Sequence, residues 1–432
     1  MGQHVRQPPA TISGGPLPRF IAASGLTNLA DGIATVAWAW TASLLTRDPL
    51  LIALVAVALR LPWAIFAIPA GIVTDRADRR RLILGMDVLR SAGFGGAAVA
   101  LWSALPLADA PQVGVSSMPA FAALILAALT VGGAEVFRDN AAQTMLPSLV
   151  PHERLEAANG RLWSVELTGN ALVGPPLGAV LVAMALPLPF VVNGVSHGLA
   201  ALIVAGIAGG FRPRHADRRN WRSELAEAMA FLRAAPILGL LAWLTGFWNL
   251  FFQMVMIGLI LHVQENLGLS ATGYGLVLAA GAVGGIAGGL LGERVVRRMG
   301  AGAAAQWMLF ASIPAFAAIA LAPSAWVLGL ILAIFEFCGL VWNTVSVSTR
   351  QRMIPDRLLG RVNSLYRLLA WGMMPLGLLL SGIVVRAAEA VVARDSALTA
   401  PFWVAAAGIS LVTAIGWRPL GRGLGHRAPR KG

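Results

Sequence analysis

Twelve apolar stretches of about 20 residues or more, each bounded by charged or Pro/Gly-rich breaks, set the limits on what this chain can fold into. They lie near 20–45, 50–74, 82–105, 120–146, 160–184, 188–209, 237–262, 272–293, 302–321, 325–348, 362–386 and 400–418. A helix of about 20 residues rises roughly 30 Å, the thickness of a bilayer's hydrocarbon core. In lipid each segment must satisfy its own backbone N–H and C=O groups, so runs of this kind form helices. The chain is 57% hydrophobic and 12% charged, about half the charge of a typical soluble domain. No water-filled surroundings could accept that much apolar surface. The expectation is an all-α integral membrane protein, with the longer runs tilted or extended past the bilayer.

Orientation follows from the basic residues. Of 33, 27 fall at or beyond the span ends on one side and only Arg47, Arg386 and Arg394 on the other, while Arg60, Arg90 and Arg367 lie within spans. Basic loops stay in the cytoplasm, so both termini are expected there, in the cell membrane. The same distribution explains the net charge of +13 without invoking nucleic acid. The expected units are a cytoplasmic N-tail (1–19), a six-helix bundle (20–210), a cytoplasmic linker (211–235), a second six-helix bundle (236–418) and a basic C-tail (419–432). Within the linker, Trp221–Leu232 reads as a short amphipathic helix at the membrane surface.

Several chemistries are excluded. Lys431 is the only lysine, so no P-loop lysine can hold ATP phosphates. Cys338 is the only cysteine and has no disulfide partner. His197 is the only histidine well inside a span, and no His-Glu-x-x-His pattern occurs. Neither a nucleophile nor a metal site assembles, so no enzyme, metal or cofactor is expected. No span carries a channel-type filter. The partners expected are lipid, a small-molecule substrate and protons as coupling ion, with the chain acting as a monomer.

The chain repeats itself. Gly71, Asp75, Arg76, Arg79 and Arg80 recur as Gly289, Glu293, Arg294, Arg297 and Arg298 at an offset of 218, each set closing the second helix of its half. Gly25, Asn28 and Leu29 recur as Gly246, Asn249 and Leu250 at 221, and Pro151 and Asn159 as Pro355 and Asn363 at 204. A longer outer loop in the first half, Pro106 to Pro119, accounts for the change in offset. Parallel repeats of this kind are typical of transporters.

The loop at Gly71–Arg81 resembles the diagnostic motif of the major facilitator superfamily, with Asp78 where that family usually has Gly. Leu59-Arg60-Leu61-Pro62, Leu146-Pro147-Ser148-Leu149-Val150-Pro151 and Gly360-Arg361-Val362 are similar to the branch containing enterobactin exporters and related bacterial efflux proteins. The resemblance covers about Phe20 to Trp417. It implies two pseudo-symmetric six-helix bundles and a secondary active transporter, a proton-coupled exporter of small amphipathic molecules working by alternating access. An importer or a lipid flippase on the same scaffold is the alternative. It also implies that Asp75 and the arginines of the loop latch the halves together at the cytoplasmic side in the outward-facing state, joined by Asp139 at the end of span four. A purely topogenic basic loop would need neither Asp75 nor Gly71.

Ionisable groups inside spans are costly and need a partner or a function. Asp31 and Arg60 lie on adjacent spans and can neutralise each other, or bind a proton or substrate. Glu135 and Arg138 are spaced i, i+3 and can pair locally. Glu336 lies mid-span with no basic residue nearby in sequence, which suits a proton carrier or a structural hydrogen bond; it ranks ahead of Asp31 and Glu135 for coupling. Glu166 is nearer the cytoplasmic end and can face water. Span five carries Gly174-Pro175-Pro176-Leu177-Gly178, which resembles the bend motif of proton-coupled exporters, and Pro with small residues bends a helix in any case. Gly281, Gly284, Gly285, Gly288 and Gly289 form a packing face on span eight. Trp38, Trp40, Phe247, Trp248, Phe251 and Phe252 on spans one and seven can line a central cavity, with Asn28, Asn249, Gln253 and Asn343 supplying hydrogen bonds.

Overall fold

The structure is a computed structural model that describes residues 15–151, 154–212 and 221–425. Twelve helices among them are long and apolar enough to cross a membrane, and they match the twelve apolar runs. Among the described residues there is no strand. Spans one to four are Pro16–Leu45, Pro49–Thr74, Arg79–Ser103 and Met118–Met145. Span five joins Leu155–Glu166 to Gly174–Met184 through a π-helical stretch, Leu167–Val173, and span six is Leu188–Ala205. Spans seven to ten are Pro236–Leu261, Ala271–Met299, Ala301–Ala320 and Ala325–Met353. Span eleven is broken into Asp356–Trp371 and Met374–Glu389, and span twelve is Ala400–Gly425.

Local chemistry sets the helix starts. Asp48 accepts from the Leu50 N–H at 3.0 Å just before Pro49, and Ser117, Ser270 and Ser324 cap spans four, eight and ten in the same way. Asp78, the departure from the family motif, caps span three through the Arg81 N–H (3.1 Å) and accepts from the Phe211 N–H (3.3 Å). Gly300, with φ of +81°, makes the turn between spans eight and nine in a conformation that L side chains rarely adopt.

Without a hydrophobic drive between helices in lipid, close backbone approach decides the packing. Span eight lies on span ten at Gly284 and Gly288, where a Cβ would strike the backbone of Ala333 and Phe337. The expected packing face is thus observed at these two positions. A Cβ on Gly289 would meet open space, and Gly281 and Gly285 face Leu332, Glu336 and Leu340. Spans one to six pack mainly among themselves, as do spans seven to twelve. The halves meet chiefly through span two against span eleven and span five against span eight. Spans two and eight hold corresponding places in the repeat, as do five and eleven, so these two contacts are related by the pseudo-symmetry.

The linker helix runs Trp221–Ala234. Its apolar face is covered by protein rather than lipid: Ala228 and Leu232 are buried with Leu238, Ile354, Leu358, Val362 and Leu365. This corrects the expectation of a helix resting on the membrane. Arg214, Arg218 and Arg219 of the linker lie outside the described residues, as do parts of both tails.

Candidate functional site

The halves are tied at the end away from the repeated loops. Asp48 in the first half is bound by Arg386 in the second, through Arg386 Nε at 3.0 Å and also through Nη2. Arg394 bridges Glu265 (2.6 Å) and Glu389 and donates to the Arg47 carbonyl oxygen at 2.8 Å. Gln264 accepts from Arg47 and donates to Ser43 Oγ at 2.7 Å. The three basic residues assigned to the outer side in the sequence are therefore all structural here. Two carboxylates at this end, Asp48 and Glu265, went unremarked in the sequence; Asp48 directly follows Arg47, whereas Glu265 has no basic residue near it along the chain.

At the motif end the loop braces its own half. Arg79 Nη1 donates to the Thr144 carbonyl at 2.9 Å, and Arg80 donates to the carbonyls of Val204 (3.2 Å) and Ala205. These are the C-termini of spans four and six, where unpaired carbonyls favour a cation. Asp75 and Arg76 are exposed and form no ion pair among the described residues. Asp139 lies 3.5 Å from Arg138, not against the loop arginines. The expected latch of Asp75, Arg76 and Asp139 is thus not assembled in this state. In the second copy Glu293 pairs, among the described residues, only with Arg297 on its own exposed helix face, at 3.5 Å. A Cβ on Gly71 or Gly289 would meet open space.

Between these ends lies a cavity of about 220 Å³ lined by Asp31, Thr35, Trp38, Arg60, Glu135, Asn170 and Gln253, among others. The ion pairs around it differ from those read in the sequence. Asp31 is held by Arg90 of span three, not by Arg60. Arg138 reaches Asp87 at 3.3 Å and Thr27 Oγ1 at 2.9 Å, not Glu135. Arg138 was counted with the loop residues in the sequence, yet it is 5% exposed. Burial within the bundle costs less when these charges are paired, and helices one, three and four supply the partners across their interfaces. Glu135 faces the cavity with Arg60 and Arg90 both close enough to attract it. His197 of span six lies 3.9 Å from Asp31 and stacks on Phe94 at 5.5 Å between centroids. Asp87 and Arg90 are the functional candidates the sequence reading passed over. Two opposite charges at i, i+3 in an apolar span were signal enough.

Other candidates disperse. Glu336 does not line the cavity; its stem packs on Gly281 and Gly285 of span eight. Asn249 is buried and donates to the Ala370 carbonyl (2.9 Å) beside the break in span eleven, and Asn28 donates to the Ser24 carbonyl (2.8 Å). Asn343 is exposed and outside the cavity lining, which leaves Gln253 of the four expected amides. Trp38 lines the cavity and packs on Phe94 and Phe190, whereas Trp248 stacks with Phe252 and Phe335 inside the second half.

Span five is interrupted by π-helix just before Gly174, and the interruption has a counterpart. A Cβ on Gly174 or Gly178 would strike Gly32 or Ile33 of span one, and Pro175 begins the helix that follows the π-helical stretch. In span eleven Pro375 begins the second helix and Gly377 presses on Leu250 of span seven. Pro176-Leu177-Gly178 and Pro375-Leu376-Gly377 are thus one more copy of the repeat, at an offset of 199.

Two six-helix bundles around a central polar cavity, tied at one end, define a carrier-type membrane transporter rather than a channel or an enzyme. The chain belongs to the Major Facilitator Superfamily, whose family model matches residues 20–378. Among curated relatives it is similar to the multidrug efflux pump Tap of Mycobacterium tuberculosis, 26% identical over 397 residues covering 87% of this chain and 88% of Tap. It is also similar to the enterobactin exporter EntS of Escherichia coli, 26% identical over 307 residues covering 68% of this chain and 67% of EntS. Among solved structures, an inward-facing bacterial homologue of the lysosomal transporter Spinster matches with a TM-score of 0.71 at 16% identity, over 96% of this chain and 98% of that one. A variant of the nucleoside transporter NupG matches with a TM-score of 0.75 at 12% identity, over 94% and 100%.

Proposed function

We propose that the chain is a proton-coupled exporter of small amphipathic molecules, working by alternating access from the cell membrane. The observation that carries this reading is the charge balance of the first half. Asp31, Asp87, Glu135 and Asp139 stand with Arg60, Arg90 and Arg138, four carboxylates to three guanidiniums, before Glu166 is counted. Such a cluster in a low-dielectric setting reaches neutrality only by taking up a further positive charge. A proton and the cationic group of a substrate can each supply it, and their exclusion of one another at Asp31 and Glu135 couples the two fluxes. Asp31 and Glu135 thus take precedence over Glu336, which stands away from the cavity.

The Arg-rich loops mark the motif end as cytoplasmic, with both termini on that side. The tied end is then the outer one, and the state described faces inward. On this reading the motif latch is disengaged because it belongs to the opposite state. Closing the motif end would bring Asp75, Arg76 and Asp139 toward the second half, while the outer ion pairs would part. The export direction draws support from the similarity to the efflux pump Tap and the enterobactin exporter EntS. The chain carries out this cycle as a monomer.

Proton-driven uptake of ethidium into everted membrane vesicles tests the reading. Wild type should accumulate the dye when the lumen is acidic and lose it on addition of an ionophore. Asp31→Asn and Glu135→Gln should abolish accumulation, with Glu336→Gln retaining most of it. Accumulation by Asp31→Asn at the wild-type level would overturn the proposal.

A further inference from the structure

Arg367 lies in span eleven, on the helix Asp356–Trp371 that precedes the break, and forms no ion pair among the described residues. A guanidinium within a membrane segment is costly unless a partner or water meets it. Arg350 adds to this cost, since it is close enough for the two positive charges to repel. Arg350 is itself occupied: it donates to Asn363 Oδ1 at 3.0 Å and lies over the Tyr366 ring at 3.9 Å. The Arg367 guanidinium rests over the Trp371 ring, 5.4 Å from its centroid.

Arg367 and Trp371 form one wall of a small cavity separate from the central one, and Trp63 of span two and Asn140 of span four form the other. The cavity holds about 60 Å³, room for a carboxylate-sized group and a ring edge. The two indoles meet edge to face, centroids 5.4 Å apart at 75°. The indole Nε1 of Trp63 is buried and has no acceptor among the described residues. Buried N–H groups almost always find a partner, so an unused one on a residue that lines the same cavity as the exposed, unpaired Arg367 is a second and independent sign of a missing acceptor.

We propose that this cavity is a subsite for an aromatic acid. The anionic group is held by Arg367 and the Trp63 N–H, and the ring packs at the cavity mouth against the outer faces of the touching Trp63 and Trp371 indoles, as charge-assisted hydrogen bonds and aromatic faces allow. Cationic and acidic groups are therefore recognised at different places, the former by Asp31 and Glu135 and the latter here. The subsite lies between the halves at spans two, four and eleven, on the motif side. Its meaning for transport rests on the reading above, but the binding does not depend on proton coupling.

The test uses purified full-length protein in phosphatidylcholine nanodiscs, with 1-naphthoate and its neutral isostere 1-naphthamide as probes, measured by calorimetric titration against empty nanodiscs. Wild type should bind naphthoate more tightly than naphthamide. Arg367→Gln should weaken naphthoate about tenfold or more and leave naphthamide unchanged, as loss of a charge-assisted hydrogen bond predicts. Arg367→Lys should restore part of the affinity, and Trp63→Phe, which keeps a ring and removes the N–H, should weaken naphthoate severalfold. Equal naphthoate binding by wild type and Arg367→Gln overturns the proposal. So does binding no stronger than to empty nanodiscs. In nanodiscs containing phosphatidylglycerol, Arg367-dependent displacement of naphthoate by the lipid would assign the site to a lipid headgroup and likewise overturn it. Failure of proton-driven dye uptake would leave these affinities untouched, so the two readings fail separately.

Discussion

Removing the Arg386 side chain should unlock the end at which the halves are tied. Asp48 is 1% exposed and accepts from Arg386 through two nitrogens, while the Arg386 side chain is 45% exposed. A hydrogen bond to a charged group contributes about 1.5–3 kcal/mol where water is excluded. Half-exposure of the guanidinium screens the pair, so its worth is set at about 1.5–2 kcal/mol. The two residues belong to different halves, so this energy favours only states in which that end is closed. Arg386→Gln should therefore shift the closed-to-open ratio at that end by about ten- to thirtyfold. Asp48→Asn should do the same while keeping an acceptor for the Leu50 N–H. Asp48→Ala should add the loss of a helix cap, about 1 kcal/mol more in overall stability. Pulsed electron–electron resonance between spin labels at Ser103→Cys and Val391→Cys, in a Cys338→Ser background, reads the separation of the halves there. A growing long-distance population in both Arg386→Gln and Asp48→Asn is expected. Distance distributions identical to the parent would refute the reasoning, because the pair would then contribute nothing to the conformational balance.

Three further perturbations address separate parts of the structure. Arg138→Gln leaves the fully buried Asp87 without its cation and should cost about 3–5 kcal/mol; Asp87→Asn in the same chain should recover much of the loss, measured by thermal unfolding in detergent. Gly284→Val places side-chain atoms in the Ala333 backbone and should destabilise by about 1–3 kcal/mol or more, while Gly289→Ala, with open space around it, should unfold at the wild-type temperature. Asp75→Asn should insert and melt like wild type, since Asp75 forms no ion pair among the described residues, yet transport poorly in the vesicle assay; normal transport would remove the latch.

The number of spans and their limits were legible because lipid imposes one requirement on all of them, a continuous apolar helix, and the sequence states it twelve times. The capping residues Asp48, Ser117, Ser270 and Ser324 could be read in the same way, since caps are local. The ion pairs could not. Asp31 and Arg60 are neighbours along the chain, but partnership inside a bundle is decided by which helix faces which, and span one packs against span six while span three packs against both span four and span six. That arrangement brings Arg90 and His197 to Asp31 and Asp87 to Arg138. Asn249 was misread for a related reason: a polar side chain on a cavity-lining helix looks like a ligand group until the break in span eleven supplies a carbonyl that needs it.

The same break gives the fold its asymmetry of means. Spans five and eleven hold corresponding places, and each is interrupted where a Pro-Leu-Gly segment presses its glycine on span one or span seven. In span five the interruption is a π-helical stretch, Leu167–Val173, which widens the helix without cutting it. In span eleven it is a full stop, and the helix before it carries Arg367 and Trp371 while the helix after it carries Arg386. One span thus presents a cation to the first half on either side of the break, Arg367 just before it and Arg386 near the far end. A movement at the break, acting as a joint, can release Arg386 from Asp48 and carry Arg367 toward or away from Trp63 without either contact being strained by the other. Filling the joint is then a sharper test of coupling than removing a charge. Gly372→Ala places a Cβ against the Leu368 carbonyl inside the break, and it should slow exchange between the two spin-label distances while leaving the Asp48–Arg386 pair chemically intact. Unaltered exchange in that variant would mean that the two ends move without the joint.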